Sequence, residues 1–142
     1  MSSVISVLLA DDHAILRKCL HRALDDDPEL LVVGTAADGF EAVELTLALA
    51  PRVVVMDMAM PVMDGLEATR RIRRTMPGTA VLMLSLNGEE RSVRSAFDAG
   101  ASGYVMKNAA GLDLAGAIKA VAMGERVLDL GAGEPLPHAR HS

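Results

Sequence analysis

The sequence predicts an α/β chain in which five βα units wind around a parallel sheet covered by helices on both faces. Three observations predict it. Short aliphatic runs alternate with longer stretches of helical period, the pattern of repeated βα units. Those short runs are nearly pure in apolar residues, as strands buried on both faces should be. Pro28, Pro51 and Pro77 each fall between a helical stretch and the next apolar run, where a residue that cannot continue a helix belongs.

In chain order, the first strand covers 5–10 and is followed by a helix over 14–26. There Leu16, Leu20 and Leu24 recur every four residues beside Cys19 and Ala23, which reads as one apolar stripe. That stripe makes Cys19 a core residue and leaves Arg17, Lys18 and Arg22 to face water. A strand over 30–36 and a helix over 40–50 come next, then a strand over 53–56 and a helix over 66–75. Asp64, just before Gly65 and Leu66, reads as the cap of that helix. Its arginines, Arg70, Arg71, Arg73 and Arg74, read as a solvated face. A strand over 80–84, a helix over 89–99, a strand over 103–105 and a helix over 112–123 complete the series. From Gly124 onward, glycine and proline interrupt any period. The organisation expected is therefore one domain over 1–126 and a linker or tail over 127–142. His138 and His141 belong to that tail and have no further ligands near them in sequence.

Composition narrows the function classes. A chain of 142 residues holds one ordinary domain and one core. Its net charge of −5 offers no general attraction to nucleic acid or to an anionic membrane surface, so direct DNA or RNA binding is not expected. No apolar run is long enough to span a bilayer. Cys19 is the single cysteine and cannot form an intramolecular disulfide. Asp11 and Asp12 stand where a signal peptide needs an apolar run. The expected location is the cytoplasm.

An open parallel sheet binds ligands at the carboxyl ends of its strands, and polar residues gather there. Asp11 and Asp12 end the first strand, Asp57 the third and Ser85 the fourth, while Lys107 follows the fifth by two residues. Asp12 and Asp57 lie about two βα units apart, and the steps to Ser85 and to Lys107 are about one unit each, so every step returns the chain to the same edge. Converging carboxylates repel; one close pair costs about 4 kcal/mol at an effective dielectric near 20. They call for a cation, and an oxygen-only set suits Mg2+ better than zinc. With Mg2+ beside it, one carboxylate can attack a phosphoryl donor and form an aspartyl phosphate. Asp57 is the candidate nucleophile because the third strand is central in a sheet ordered 2-1-3-4-5. Lys107 then supplies a point charge to the phosphate and the Ser85 hydroxyl a hydrogen bond.

Four segments carry a family resemblance: Leu9-Ala-Asp-Asp-His13, Val55-Met-Asp-Met-Ala-Met-Pro-Val-Met-Asp-Gly65, Val81-Leu-Met-Leu-Ser85 and Ala99-Gly-Ala-Ser-Gly-Tyr-Val-Met-Lys107. Over residues 4–126 the chain resembles the receiver domain of bacterial two-component response regulators, and in detail the NarL/FixJ subfamily. The resemblance implies a flavodoxin-like (βα)5 fold and phosphorylation of Asp57 by a sensor histidine kinase. It also implies Mg2+ ligation by Asp12, Asp57 and the Ala59 backbone carbonyl, with Asp11 acting through water. Ser85 and Tyr104 resemble the switch pair, in which the hydroxyl moves to the phosphate and the ring turns inward. The implied output surface runs over 86–122. It serves transcription through a DNA-binding domain that this sequence does not include, or self-association as a homodimer.

Two positions depart from the commonest family pattern. Ala59 has no polar side chain to handle the water that attacks the phosphate, so dephosphorylation is expected to be set by other groups. Asn108 follows Lys107 where many receivers have proline, so the usual cis peptide is not implied. Turnover as an enzyme is not expected beyond self-directed phosphotransfer and autodephosphorylation. A Mg2+-dependent phosphohydrolase commonly needs an acid two positions after its nucleophile, and Ala59 occupies that place. A nucleotide-binding domain wants a glycine-rich first turn, whereas Ala10-Asp-Asp-His13 is acidic. A stand-alone receiver acting through protein contacts remains the alternative to a transcription regulator.

Overall fold

A computed structural model describes residues 4–107 and 113–130. The strands are β1 (Ile5–Ala10), β2 (Leu30–Ala36), β3 (Val53–Asp57), β4 (Ala80–Ser85), β5 (Gly103–Met106) and β6 (Val127–Asp129). The helices are α1 (Ala14–Asp25), α2 (Gly39–Leu49), α3 (Gly65–Thr75), α4 (Glu90–Asp98) and α5 (Leu114–Ala122). All strand pairs are parallel, in the order β2-β1-β3-β4-β5-β6. The expected 2-1-3-4-5 order is present, with one further strand on the β5 edge.

Alternate residues of the central strands serve two separate cores. Leu8, Ala10, Val54, Met56, Val81, Met83 and Tyr104 face one side, where Ala42, Ala68, Ile72, Val93 and Ala96 from α2, α3 and α4 meet them. Val7, Leu9, Val53, Val55, Leu82, Leu84 and Val105 face the other, against Leu24 of α1 and Leu114, Ala117, Ile118 and Val121 of α5. A sheet buried on both faces explains why its strands read as unbroken apolar runs. The edge strand β2 is less covered, and its Leu31 is exposed.

The structure corrects two readings. Cys19 is exposed, and so is Ala23. The covered side of α1 runs through Leu20 and Leu24, and a residue one position earlier lies about 100° round the helix, on the flank. Arg17, expected to face water, turns back so that Nη1 donates to the Asp11 carbonyl at 2.6 Å. The second correction is β6, which occupies three residues of the stretch read as linker. A three-residue strand has no detectable period of its own and exists only because the β5 edge offers it a partner.

The start of α3, beside the end of β3, is firmly capped. The Asp64 side chain accepts from the Glu67 amide at 2.9 Å, as expected of it. Immediately after it, Gly65 packs so closely that a Cβ there would lie 2.3 Å from the Asp57 carbonyl oxygen. Only glycine lets α3 begin directly beneath the end of β3. The Gly65 amide also donates to the Met58 carbonyl at 2.9 Å.

Candidate functional site: an acidic crevice at the carboxyl edge of the sheet

Parallel pairing brings the ends of β1, β3, β4 and β5 to one edge, and ladder-like bonds continue just past them. The Asp11 amide donates to Ala36, Met58 to Leu84 and Lys107 to Ser85, at 3.0, 2.9 and 2.8 Å. Side chains directly after the strands are thereby fixed in register. Asp11 and Asp57 are buried, while Asp12 lies exposed at the mouth. Lys107 reaches across the crevice and sets its ammonium 3.1 Å from Asp11 Oδ2 and 3.0 Å from Asp57 Oδ2. The three residues thus form one buried charge cluster, although their positions in sequence are far apart.

Each carboxylate is also tied locally. Asp11 Oδ1 accepts from the His13 amide at 2.8 Å, which closes a turn before α1. Asp57 Oδ1 accepts from the Ala59 amide at 3.2 Å. This leaves Asp11 Oδ2 and Asp57 Oδ2 buried without a well-directed hydrogen bond, held only by the charge of Lys107. Burial pushes the Asp57 carboxyl up from 3.8 to about 6, with the Asp11 charge adding to the rise; Lys107 and the Ala59 amide oppose it. Burial also works against the Lys107 charge, but the two carboxylates overcome it and hold the ammonium above its ordinary value.

Two under-bonded buried oxygens in a cluster with more negative than positive charge fit a hard divalent cation. Ligand atoms from Asp11, Asp12, His13 and Asp57 all lie within 4.8 Å of one another. His13, which was not among the expected ligands, has its Nδ1 3.2 Å from an oxygen of each of Asp11 and Asp12. Its adjacency to the pair was the only signal in the sequence.

Ser85 and Tyr104 are also brought together, around the loop between β4 and α4. Ser85 is buried and its Oγ accepts from the Asn87 amide at 3.0 Å. The Tyr104 ring is fully buried, with its hydroxyl donating to the Asn87 carbonyl and lying 3.9 Å from Met58 Sδ. Burial raises the pKa of its phenol. Asn87 is a residue that sequence reasoning missed. It acts through its backbone amide and carbonyl, which carry no signature in a sequence.

The loop after β3 carries a further special position. Val62 has φ of 69° and is 81% exposed. A β-branched residue in the left-handed region is strained, and here it stands between β3 and α3. Asn108 and the tail histidines lie outside the described residues.

Residues 7–119 match the model of the response regulator receiver domain. The chain belongs to the response regulator receiver family. This receiver is 38% identical to the transcriptional regulatory protein LiaR of Bacillus subtilis over 140 residues, 98% of this chain and 66% of that protein. It is 40% identical to the response regulator UvrY of Escherichia coli K12 over 125 residues, 88% of this chain and 57% of that protein. The receiver therefore spans about three-fifths of the length of the curated relatives it matches. Among solved structures, a LuxR-family two-component response regulator from Aurantimonas sp. superposes with a TM-score of 0.84 at 38% identity, covering 88% of this chain and 89% of that one. The signal receiver domain of NarL from Mycobacterium tuberculosis gives 0.83 at 33% identity, covering 87% and 99%. Among the described residues, no helix is long and apolar enough to cross a membrane.

Proposed function

We propose that this receiver takes a phosphoryl group onto Asp57 from the phosphohistidine of a sensor kinase. The observation that carries the reading is Lys107, whose ammonium bridges the buried Asp11 and Asp57 from the far strand of the site. An Asp57 oxygen attacks phosphorus, the P–N bond to the donor histidine breaks, and the leaving imidazole keeps the electron pair. The Asp57 carboxyl, raised to about 6 by burial, is ionised at neutral pH yet more basic than an ordinary carboxylate, which suits a nucleophile.

Asp12, Asp57 and the Ala59 carbonyl are the proposed Mg2+ ligands, with Asp11 acting through water; when bound, Mg2+ offsets the charge on the transferring oxygens. Lys107 holds one phosphoryl oxygen by charge. The Ala59 amide, already on Asp57 Oδ1, orients the carboxylate. Ser85 Oγ can leave the Asn87 amide for the phosphate, and that exchange is the proposed start of the switch. Output then runs from the β4–α4 loop through α5, by contact with a second copy or with a partner. Relatives named as transcription regulators support control of transcription through a DNA-binding domain beyond this sequence.

The test is intact mass after incubation with acetyl phosphate and Mg2+. The expected result is a gain of one phosphoryl mass that disappears in Asp57→Ala and when Mg2+ is chelated. No gain under any condition would make this a receiver that works without phosphorylation, and would shift attention to its binding surfaces.

A further inference from the structure

The stretch that leaves α5 does not simply depart from the domain. It makes attachments to three neighbours within five residues. The Arg126 guanidinium lies over the Phe97 ring of α4, 4.4 Å from its centroid. Val127, Leu128 and Asp129 pair with Gly103, Tyr104 and Val105 of β5. Leu128 and Leu130 pack on the core cluster that contains Tyr104, Val93 and Ala96. Leu130 also approaches the β4–α4 loop: a Cβ on Gly88 would lie 3.8 Å from Leu130 Cδ2. Gly88 adjoins Asn87, whose carbonyl accepts from the Tyr104 hydroxyl.

We propose that residues 126–130 form a strap whose docking is coupled to the buried position of the Tyr104 ring, so that the chain leaving at Leu130 reports the state of the Asp57 site. The reporting half of this inference rests on the phosphoacceptor reading of Asp57; the coupling half does not.

Space enforces the coupling. Tyr104 has β4 on one side, and α4 covers the sheet face above it through Val93 and Ala96. On the remaining side stands Leu128, its partner in register, with Leu130 beyond. A ring turning out toward the β5 edge must enter the volume of those two leucines, so an outward ring and a docked strap exclude each other. Whatever holds the ring in favours the strap, and the strap in turn favours the ring, since such coupling is reciprocal.

The strap is weak enough to move. It has three paired residues and only partly buried side chains, and such elements open at far lower cost than the central strands. Its direction gives it reach. Because β6 runs parallel to the other strands, it carries the chain back to the carboxyl edge, the edge that holds Asp57, Ser85 and Lys107. Whatever follows Leu130 is attached there and not at the opposite end of the sheet, where α5 finishes.

The sequence supplies its own probe, since Tyr104 is the single tyrosine and there is no tryptophan. Acrylamide quenching of the intrinsic fluorescence of the 142-residue chain reads the exposure of that ring alone. Leu128→Asp with Leu130→Asp, neither of them among the residues of the acidic crevice, should undock the strap, raise amide exchange at 127–129 about tenfold or more and markedly increase quenching. The milder Leu130→Ala should move both readouts in the same direction by less, and serves if the double variant loses its helical circular dichroism. Fast exchange at β6 with unchanged quenching would overturn the coupling. The second arm uses wild type after the phosphoryl mass on Asp57 has been confirmed, where exchange at 127–129 should slow. Confirmed phosphorylation with unchanged exchange would overturn the reporting role. No mass gain would count against the Asp57 reading itself, and the quenching arm would still decide whether ring and strap are coupled.

Discussion

Asp57 and Tyr104 lie two strands apart in one sheet, and the surroundings of the two side chains differ in kind. Asp57 is hemmed in by backbone: the β3–β4 register, the Ala59 amide and a glycine that α3 presses against its carbonyl. Lys107 then adds a charge that cannot be removed cheaply. Tyr104 is enclosed by side chains and by the backbone of one exposed loop residue, Asn87, with a three-residue strand at its flank. The acidic cluster is built where the fold cannot give way, and the tyrosine stands where it can. A receiver needs both, because a phosphoryl group can shift a two-state equilibrium only by the difference in its interactions with the two states.

The largest effect should come from the rigid half. In Gly65→Ala the new methyl would stand 2.3 Å from the Asp57 carbonyl oxygen and 2.9 Å from Met58 Cα, both backbone atoms that cannot rotate aside. The expected loss is about 3 kcal/mol or more in urea unfolding, together with slower phosphoryl uptake because the Asp57 backbone must shift. A stable, fully active alanine variant would show that the start of α3 is not fixed against β3.

Next in size is a stabilisation with a pH signature. The folded Asp57 carboxyl titrates at about 6, against 3.8 when unfolded, so between those values the native state binds a proton that the unfolded chain has lost. Stability attributable to this group is therefore highest below about pH 4 and falls as pH rises through 6. With Mg2+ chelated, Asp57→Asn should be more stable than wild type by about 2 kcal/mol at pH 7.5, and the gain should vanish near pH 4. A gain of equal size at both pH values would trace the effect to something other than the buried charge.

What could be read from the sequence follows the same division. β1 and β2 were legible to the residue because both are nearly unbroken runs of apolar residues, even though the edge strand β2 is only partly buried. β3 and β4 each extend one residue further than their apolar runs, since Asp57 and Ser85 remain in the ladder; composition marks a strand as ending at its first polar residue, while the backbone does not. The acidic crevice was legible because buried charge at a strand end is improbable without a use. Asn87 and β6 were not. One works through peptide groups that every residue possesses, and the other is a strand only by virtue of its neighbour. Cys19 shows the converse error, in which an apolar spacing was drawn wider than the seam that α1 actually buries.

On the softer side the expected effects are smaller. Tyr104→Phe removes the hydroxyl from the Asn87 carbonyl but keeps the ring, and should cost about 1 kcal/mol. Amide exchange should rise in the β4–α4 loop and remain unchanged in β1 and β3. Equal loosening of all three regions would mean that the two halves of the site are one mechanical unit.

The smallest effect is the most discriminating for the strap. Arg126 is exposed, so its contact with the Phe97 ring is worth about 0.5 kcal/mol, too little to register in global unfolding. Docking of β6 is a local equilibrium, however, and the same 0.5 kcal/mol changes its open population about twofold. Arg126→Ala should therefore leave the urea midpoint where it is and roughly double amide exchange at 127–129. Arg126→Lys keeps the charge but loses the planar stacking of the guanidinium, and should fall between the two. If the alanine variant exchanged at the wild-type rate, β6 would be held by its ladder and leucines alone, and α4 would have no direct grip on the outgoing chain.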